Sequence, residues 1–227
     1  MPGTLVNAAA IIAGSLIGML LRRGLPEKIK TVIMQGLGLC IVLIGIRGAV
    51  QTENEMVVIL SIVIGGLIGS LIGIEKGLDR MGQALQNRLS KAFGASDIGK
   101  GFVTASLIFC VGSMAIVGSL NAGLKGDYSM LYAKALLDGV TSMVLSSTLG
   151  PGVMLSALPI LVYQGGITLL AGLVSPILSD RVVTEMSAVG GLLIIGIGLN
   201  MIYDKHLRVG DLLPAVFLPC LVLMVFA

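Results

Sequence analysis

The chain has 227 residues, of which 56% are hydrophobic and 12% are charged, and its formal net charge is +3. Soluble domains carry about 25% charged residues, so a water-soluble fold of this sequence would leave large apolar surfaces uncovered. The composition excludes an ordinary soluble domain, and the small net charge does not indicate nucleic-acid binding.

Apolar segments separated by short polar loops follow one another along the chain. A transmembrane helix needs about 20 mostly apolar residues. We therefore predict an all-α polytopic membrane protein that forms a single membrane domain over 1–227. The eight predicted spans are 4–21, 31–50, 56–74, 102–120, 130–149, 153–174, 186–203 and 210–227.

Lysine and arginine indicate how these spans are oriented, because they collect in cytoplasmic loops. With the N-terminus outside, eleven of the fifteen lie on the cytoplasmic side, and the four on the outer side are Arg47, Lys125, Lys134 and Arg181. We therefore predict that the N-terminus and the C-terminus are both outside.

The segment 75–100 is the one long polar connection. Its apolar residues recur every three or four positions, at Leu78, Met81, Leu85, Leu89 and Phe93. This period predicts an amphipathic helix that lies on the inner leaflet. Such a helix is either a connector anchored to the membrane surface or a gate or dimer contact.

A weak internal repeat relates the two ends of the chain. A shift of 153 residues places 25–46 over 178–199 and aligns Gly38 with Gly191 and Gly45 with Gly198. Two spans lie between the copies, so the repeat is predicted to be inverted, as in many secondary transporters. The predicted organisation is a first repeat over 1–74, the amphipathic helix, central Gly/Ser-rich helices over 101–152 and a second repeat over 153–227. A chance match among glycine-rich helices is the alternative.

Span five contains the main candidate site. Asp138, Thr141, Ser142 and Ser146 share one helical stripe. A carboxylate at membrane depth indicates an ion or substrate pathway, and nearby hydroxyls supply further oxygen ligands for a small cation. The alternative is structural, because Lys134 lies one turn before Asp138 and a Lys–Asp pair neutralises itself.

Span four is rich in small and polar residues. We include Ser113 and Asn121 in the candidate substrate or ion site, because glycines around them permit an unwound segment or backbone groups that face a cavity. The alternative is that these small residues serve close helix packing alone. The Asn121-Ala122-Gly123 and Gly150-Pro151-Gly152 segments are where a broken or re-entrant helix is expected. The amides Asn7, Gln35, Gln164 and Asn200 are expected to form interhelical hydrogen bonds rather than to bind a ligand.

Other sequence features indicate packing rather than catalysis. Cys40, Cys110 and Cys220 lie singly in apolar runs, and no enzyme, zinc or phosphate motif is present. We therefore expect no enzymatic activity and no cofactor, although a sodium ion or a proton is expected to couple transport. Small residues at four-residue intervals, such as Gly65, Gly69 and Gly73, predict close helix contacts, and a homodimer is preferred.

Several segments together resemble a known family. They are Gly3-Thr-Leu-Val-Asn-Ala-Ala-Ala10, Arg22-Arg23-Gly24, Asp138-Gly-Val-Thr-Ser-Met143 and Gly150-Pro-Gly152. The sequence resembles the bacterial integral-membrane family of unknown function that includes the YqgA and YdfK proteins. This resemblance implies a bacterial inner-membrane location and a transport role, without an assigned substrate or binding residues.

The favoured hypothesis is a small secondary transporter or permease of a small solute or ion. It would work by alternating access, with a cation held near Asp138, Thr141 and Ser142. The alternatives are an ion channel and a membrane scaffold that moves no solute. The scaffold predicts a dry, packed interior in which Asp138 is bonded to Lys134.

Overall fold

The computed structural model describes residues 1–22, 27–93, 98–110, 112–203 and 207–226. The described residues form helices and contain no β-strand. The elements are α1 (Pro2–Arg22), α2 (Glu27–Ala49), α3 (Glu55–Ile72), α4 (Ile74–Phe93), α5 (Ile98–Cys110), α6 (Ser113–Lys125), α7 (Ser129–Leu149), α8 (Gly152–Leu155), α9 (Ala157–Leu169), α10 (Ala171–Val174), α11 (Asp180–Ile202), a 3₁₀ helix (Val209–Phe217) and α12 (Leu218–Phe226).

Five of the described helical segments are long and apolar enough to cross a bilayer, fewer than the eight predicted. They are Pro2–Leu21, Thr31–Ala49, Glu55–Ile72, Gly152–Leu169 and Asp180–Ile202. The bent pair α5 and α6 would make a sixth span, while Val209–Met224 is shorter than a full span. Helix α7 has the required length, but its ion pair and its many hydroxyl groups lower its hydropathy.

The helix boundaries correct two details of the sequence prediction. Span seven begins at Asp180 rather than at 186, because the Ser179 side chain accepts a hydrogen bond from the Val182 amide and caps α11. Span four is broken earlier than expected. Asn121-Ala122-Gly123 lies inside α6, and the interruption falls between Cys110 and Ser113, with a 61° bend.

Glycines with a positive φ angle lie at helix boundaries. Gly112 has a φ of +152° and precedes α6, and Gly150 has a φ of +82° and follows α7. L-residues with side chains rarely adopt these angles, so glycine is favoured at both sites. The predicted interruption at Gly150-Pro151-Gly152 is confirmed. Helix α4 occupies Ile74–Phe93 of the predicted amphipathic segment 75–100, and its place on the inner leaflet stays a prediction.

The chain divides into two compact units. The first contains Met1–Ile33, Asp79–Cys110 and Met114–Leu173. Within it, α1 packs along α7 and also contacts α8 and α9. Gly14 and Gly18 lie directly against the backbone carbonyls of Gly139 and Met143, so α1 and α7 run parallel and close together.

The second unit contains Met34–Leu78, Val111–Ser113 and Val174–Ala227. Here α3 packs on the 3₁₀ helix and α12, with Gly65 beside Ala215 and Gly69 beside Asp211. Residue numbers rise along one element as they fall along the other, so this pair is antiparallel. The predicted small-residue contacts of α1 and α3 therefore lie within one chain, and the homodimer stays a prediction.

Candidate ion or solute site

A buried ion pair lies at the centre of the candidate site. The Lys134 ammonium nitrogen Nζ is 2.6 Å from Asp138 Oδ2, one helical turn away on α7. The residues are 7% and 6% exposed. Charges inside a low-dielectric region persist only when they are paired, so this contact accounts for both ionised groups. The structural alternative formulated from the sequence predicted this bond.

Two neighbouring helices add amides to the ion pair. Asn7 of α1 donates from Nδ2 to Asp138 Oδ2 at 3.0 Å and to Gln164 Oε1 of α9 at 3.2 Å. Asn7 and Gln164 are fully buried. The predicted interhelical hydrogen bonds of Asn7 and Gln164 are confirmed, whereas Asn200 bonds the Leu207 backbone in the loop after α11. Asn7 thus links Asp138 of α7 to Gln164 of α9. Both bonds to Asp138 use Oδ2, so neither occupies Oδ1.

The helical faces of α1 and α9 that carry Asn7 and Gln164 retain unused hydrogen-bonding capacity. Four buried polar atoms there have no hydrogen-bond partner: Asn7 Oδ1, Gln164 Nε2, Thr4 Oγ1 and Thr168 Oγ1. Thr4 precedes Asn7 by three residues and Thr168 follows Gln164 by four, so each pair lies on one helical face. They make up half of the eight such atoms among the described residues. The other four belong to Ser15, Ser61, Ser119 and Asp211, and the last of these is in an ion pair with Arg208.

The serine hydroxyls of α7 that were predicted to join Asp138 in the site donate to backbone carbonyls instead. Ser142 donates to the Ile11 and Gly139 carbonyls, and Ser146 donates to the Ser15 and Met143 carbonyls. These bonds tie α7 to the backbone of α1. Thr141 is half-buried beside them. Membership of these residues in a binding site stays a prediction.

The remaining predicted residues lie on α6. Ser113 is its first residue, and the half-buried Asn121 accepts the Asp127 amide through its backbone carbonyl. No described contact joins either residue to Asp138. Cys110, the last residue of α5, is close enough to Lys134 and Asp138 to interact electrostatically with both. The end of the broken helix is thus near the ion pair.

Sequence reasoning missed the contribution of Thr4 and Thr168. A threonine in an apolar helix commonly bonds its own backbone, and nothing in the sequence distinguishes one whose hydroxyl is left unpartnered. The period alone places Thr4 with Asn7 and Gln164 with Thr168. That α1 packs against both α7 and α9, and that Asn7 bonds Asp138 and Gln164, is not revealed by the sequence.

Carboxylates of the second unit serve as structural caps. Glu185 accepts from the Thr52 hydroxyl at 2.6 Å and from the Glu53 and Asn54 amides at 2.8 and 3.0 Å. Asp211 accepts from the Glu75 amide at 2.9 Å, at the start of α4. Among the described residues, no group of three His, Cys, Asp or Glu side chains could hold a metal ion.

A cavity of about 520 Å³ also lies in the second unit. Its walls are mostly leucine, isoleucine and glycine, with Arg208 and Asp211 as the charged members. The two form an ion pair of 2.7 Å between Arg208 Nη2 and Asp211 Oδ2. Since these charges satisfy each other, this cavity has less unused polar capacity than the cluster around Asp138.

Comparison with known proteins places the chain in a family. It is 35% identical over 227 residues to "Uncharacterized membrane protein YdfK" of Bacillus subtilis (strain 168), covering 98% of this chain and 96% of the relative. It is 33% identical over 219 residues to "Uncharacterized protein YqgA" of Escherichia coli (strain K12), covering 95% and 93%. No solved structure matches. A family model matches residues 2–224, and the chain belongs to the family described as "Protein of unknown function (DUF554)".

Proposed function

We propose that the protein is a small secondary transporter that moves a small solute or ion through the bacterial inner membrane by alternating access. One observation carries the proposal, the buried polar cluster of Asn7, Lys134, Asp138 and Gln164. Ionisable residues at membrane depth are costly and usually belong to transport pathways. A scaffold would account for the ion pair, but it gives no reason to retain four unpartnered polar atoms on the faces of α1 and α9 that carry Asn7 and Gln164.

The direction of packed helices supports eight crossings. Helices α1 and α7 are parallel, since Asn7, Ile11 and Ser15 meet Asp138, Ser142 and Ser146 in the same order. Two crossings, α2 and α3, separate them, so a parallel arrangement requires one further crossing between α3 and α7. The polar helix α4 is unsuited to this crossing, which leaves the bent pair α5 and α6 as one discontinuous span.

A second helix pair supports the same number of crossings. In the second unit, Gly38 of α2 faces Gly198 of α11, and Gly45 faces Gly191, so α2 and α11 are antiparallel. An antiparallel pair requires an even number of spans between them. Helices α3, α5–α6, α7 and α8–α10 supply four. If α5–α6 turned back within the membrane, α2 and α11 would be parallel.

The same glycines support an inverted repeat. The shift of 153 residues aligns Gly38 with Gly191 and Gly45 with Gly198. It therefore maps the Gly38–Gly198 contact onto the Gly45–Gly191 contact. A Cβ atom on Gly38 would be 2.9 Å from the Gly198 carbonyl oxygen, and one on Gly198 would be 2.7 Å from the Gly38 oxygen. A Cβ atom on Gly45 would be 2.7 Å from the Gly191 carbonyl oxygen, and one on Gly191 would be 2.6 Å from the Gly45 oxygen. Such reciprocity is expected of two helices related by a two-fold axis.

In this arrangement the N-terminus and the C-terminus are outside, and the charged end of α7 faces outward. Asn7 lies near the outer end of α1, and Lys134 and Asp138 lie in the outer half of α7. The cluster thus lies close to one entrance. Alternating access would open it to each side in turn through movement of the discontinuous span and α7.

Reconstitution tests this function. Purified protein in liposomes is given opposing sodium and proton gradients, and uptake of radioactive sodium and the internal pH are followed. We expect saturable flux that falls about tenfold or more in Asp138→Asn, because a neutral amide cannot replace the carboxylate in an ion pathway. Ser147→Ala is the matched control, since Ser147 donates only locally, to the Val144 carbonyl of its own helix.

The alternatives predict different fluxes. Flux that does not saturate and needs no coupling gradient would indicate a channel. Absence of flux of either ion and of a panel of small solutes, with folded and correctly inserted protein, would favour the scaffold. Flux that is unchanged in Asp138→Asn would show that the cluster takes no part in the transport pathway.

A further inference from the structure

We infer that Thr4, Asn7, Asp138 and Thr168 form a binding site for a dehydrated sodium ion, which competes with the Lys134 ammonium group. This inference deepens the proposed transport function, on which its biological role rests. It assigns ligands on α1 and α9 in place of the α7 hydroxyls, and it gives Lys134 the role of an internal competitor.

The charge of the cluster fits a monovalent cation. Asp138 is the only carboxylate among the residues described in the cluster, and Lys134 now balances it. Exchange of the ammonium for sodium keeps the site neutral, whereas a divalent ion would leave an uncompensated positive charge in a low-dielectric region. Calcium also requires several charged oxygen ligands, which this cluster lacks.

The unpartnered atoms fit a cation better than an anion. Three are oxygens, Asn7 Oδ1, Thr4 Oγ1 and Thr168 Oγ1, and only one is a nitrogen, on Gln164. Asn7 is the best placed of these ligands, because its amide already contacts Asp138 through Nδ2. It is fully buried, and its oxygen Oδ1 has no hydrogen-bond partner. Hard monovalent cations bind such amide, hydroxyl and carboxylate oxygens.

Lys134 is placed to leave Asp138 when sodium binds. It lies four residues closer than Asp138 to the loop that precedes α7, and its long side chain can extend toward that interface. Asp138 can thus hold either the tethered ammonium or a sodium ion. Removing the ammonium should strengthen sodium binding, because sodium then has no internal competitor.

Sodium binding to purified full-length protein in lipid nanodiscs tests the inference, with radioactive sodium as the probe and choline chloride maintaining ionic strength. We expect Lys134→Met to bind sodium about tenfold more tightly than the wild type. Asp138→Asn should lose binding. The double variant Thr4→Val/Thr168→Val, which removes two hydroxyl ligands, should bind about tenfold more weakly. Ser147→Ala should bind as the wild type does.

The neutral double variant Lys134→Met/Asp138→Asn is the control for folding, since it should fold and bind no sodium. The inference is overturned if Lys134→Met binds sodium no better than the wild type while sodium fails to raise its melting temperature. It is also overturned if Asp138→Asn retains wild-type affinity. If the expected binding pattern appears but liposomes show no flux, the transport function fails while the sodium site stands.

Discussion

At the scale of single residues, the Lys134–Asp138 pair should stabilise the fold mainly because each charge requires the other. Lys134→Met leaves a buried carboxylate unpaired, and we expect the free energy of unfolding to fall by about 3 kcal/mol. Adding Asp138→Asn should restore much of that loss, since no charge then remains to be compensated. Unfolding of the single and double variants in mixed detergent micelles measures both values.

Comparison of the single and double variants separates the possible roles of the Lys134–Asp138 pair. A double variant that is as unstable as Lys134→Met would show that packing of the side chains, rather than charge, stabilises this region. In the proposed sodium site, sodium chloride should stabilise Lys134→Met more than choline chloride does, and the double variant should show no such difference.

Asp138 could be identified as a candidate from the sequence, whereas the unpartnered hydroxyls of Thr4 and Thr168 could not. A carboxylate in an apolar helix is conspicuous because burying its charge is unfavourable. A threonine hydroxyl is small and common in membrane helices, so Thr4 and Thr168 carry no comparable signal. Ser142 and Ser146 share the face of Asp138, as predicted, but a helical stripe does not indicate whether its hydroxyls face a cavity or a neighbouring backbone.

At the scale of helices, glycine sets how closely α1 approaches α7. A Cβ atom on Gly14 would collide with the Gly139 carbonyl and the Ser142 hydroxyl, whereas one on Gly166 of α9 meets nothing within 4 Å. We expect Gly14→Ala to destabilise the protein by about 1–3 kcal/mol, because the backbone of Gly139 cannot move aside without disturbing α7.

Gly166→Ala is the control, and it should leave the melting temperature nearly unchanged. The comparison is made by thermal unfolding in the same detergent. Equal melting temperatures for Gly14→Ala and the wild type would show that α1 and α7 do not pack as closely as the structure indicates. Sodium binding should fall together with stability in Gly14→Ala, because Asn7 and Asp138 lie on these two helices.

The broken span shows why helix interruptions are hard to place from sequence. Asn121-Ala122-Gly123 has the composition of a loop, yet it is helical in the structure. Gly123 lies against the Thr168 carbonyl, so its missing side chain serves close packing with α9. The interruption instead occurs where Gly112 adopts a positive φ. Glycine is favoured in both situations, and only the tertiary structure distinguishes them.

At the scale of the whole molecule, composition and the length of the apolar segments predicted an all-helical membrane protein. The described residues confirm the helical fold, and five of their helical segments are suited to cross a bilayer. The number of crossings depends on segments that hydropathy describes poorly. Helix α7 is polar because it carries the ion pair, and α5–α6 is divided by its bend. The elements that hydropathy does not identify as single straight spans are therefore those that contain or adjoin the candidate site.

The proposed topology makes a direct prediction about which loops share a side of the membrane. In a variant without native cysteines, we introduce single cysteines at the exposed positions Gln51, Gln83, Asp127 and Leu207. A membrane-impermeant maleimide applied to intact spheroplasts should label Gln51→Cys and Asp127→Cys. Gln83→Cys and Leu207→Cys should react only after the membrane is permeabilised.

Gln83 and Asp127 form the decisive comparison, because α5 and α6 lie between them. Labelling on opposite sides requires the bent pair to cross the membrane once, which also makes α1 parallel to α7 and α2 antiparallel to α11. Labelling of both from the same side would mean that α5 and α6 turn back within the membrane. The parallel contacts from Asn7 to Asp138 and from Ser15 to Ser146 would then be impossible in one bilayer, so this result would remove the eight-span topology and the three-helix site together.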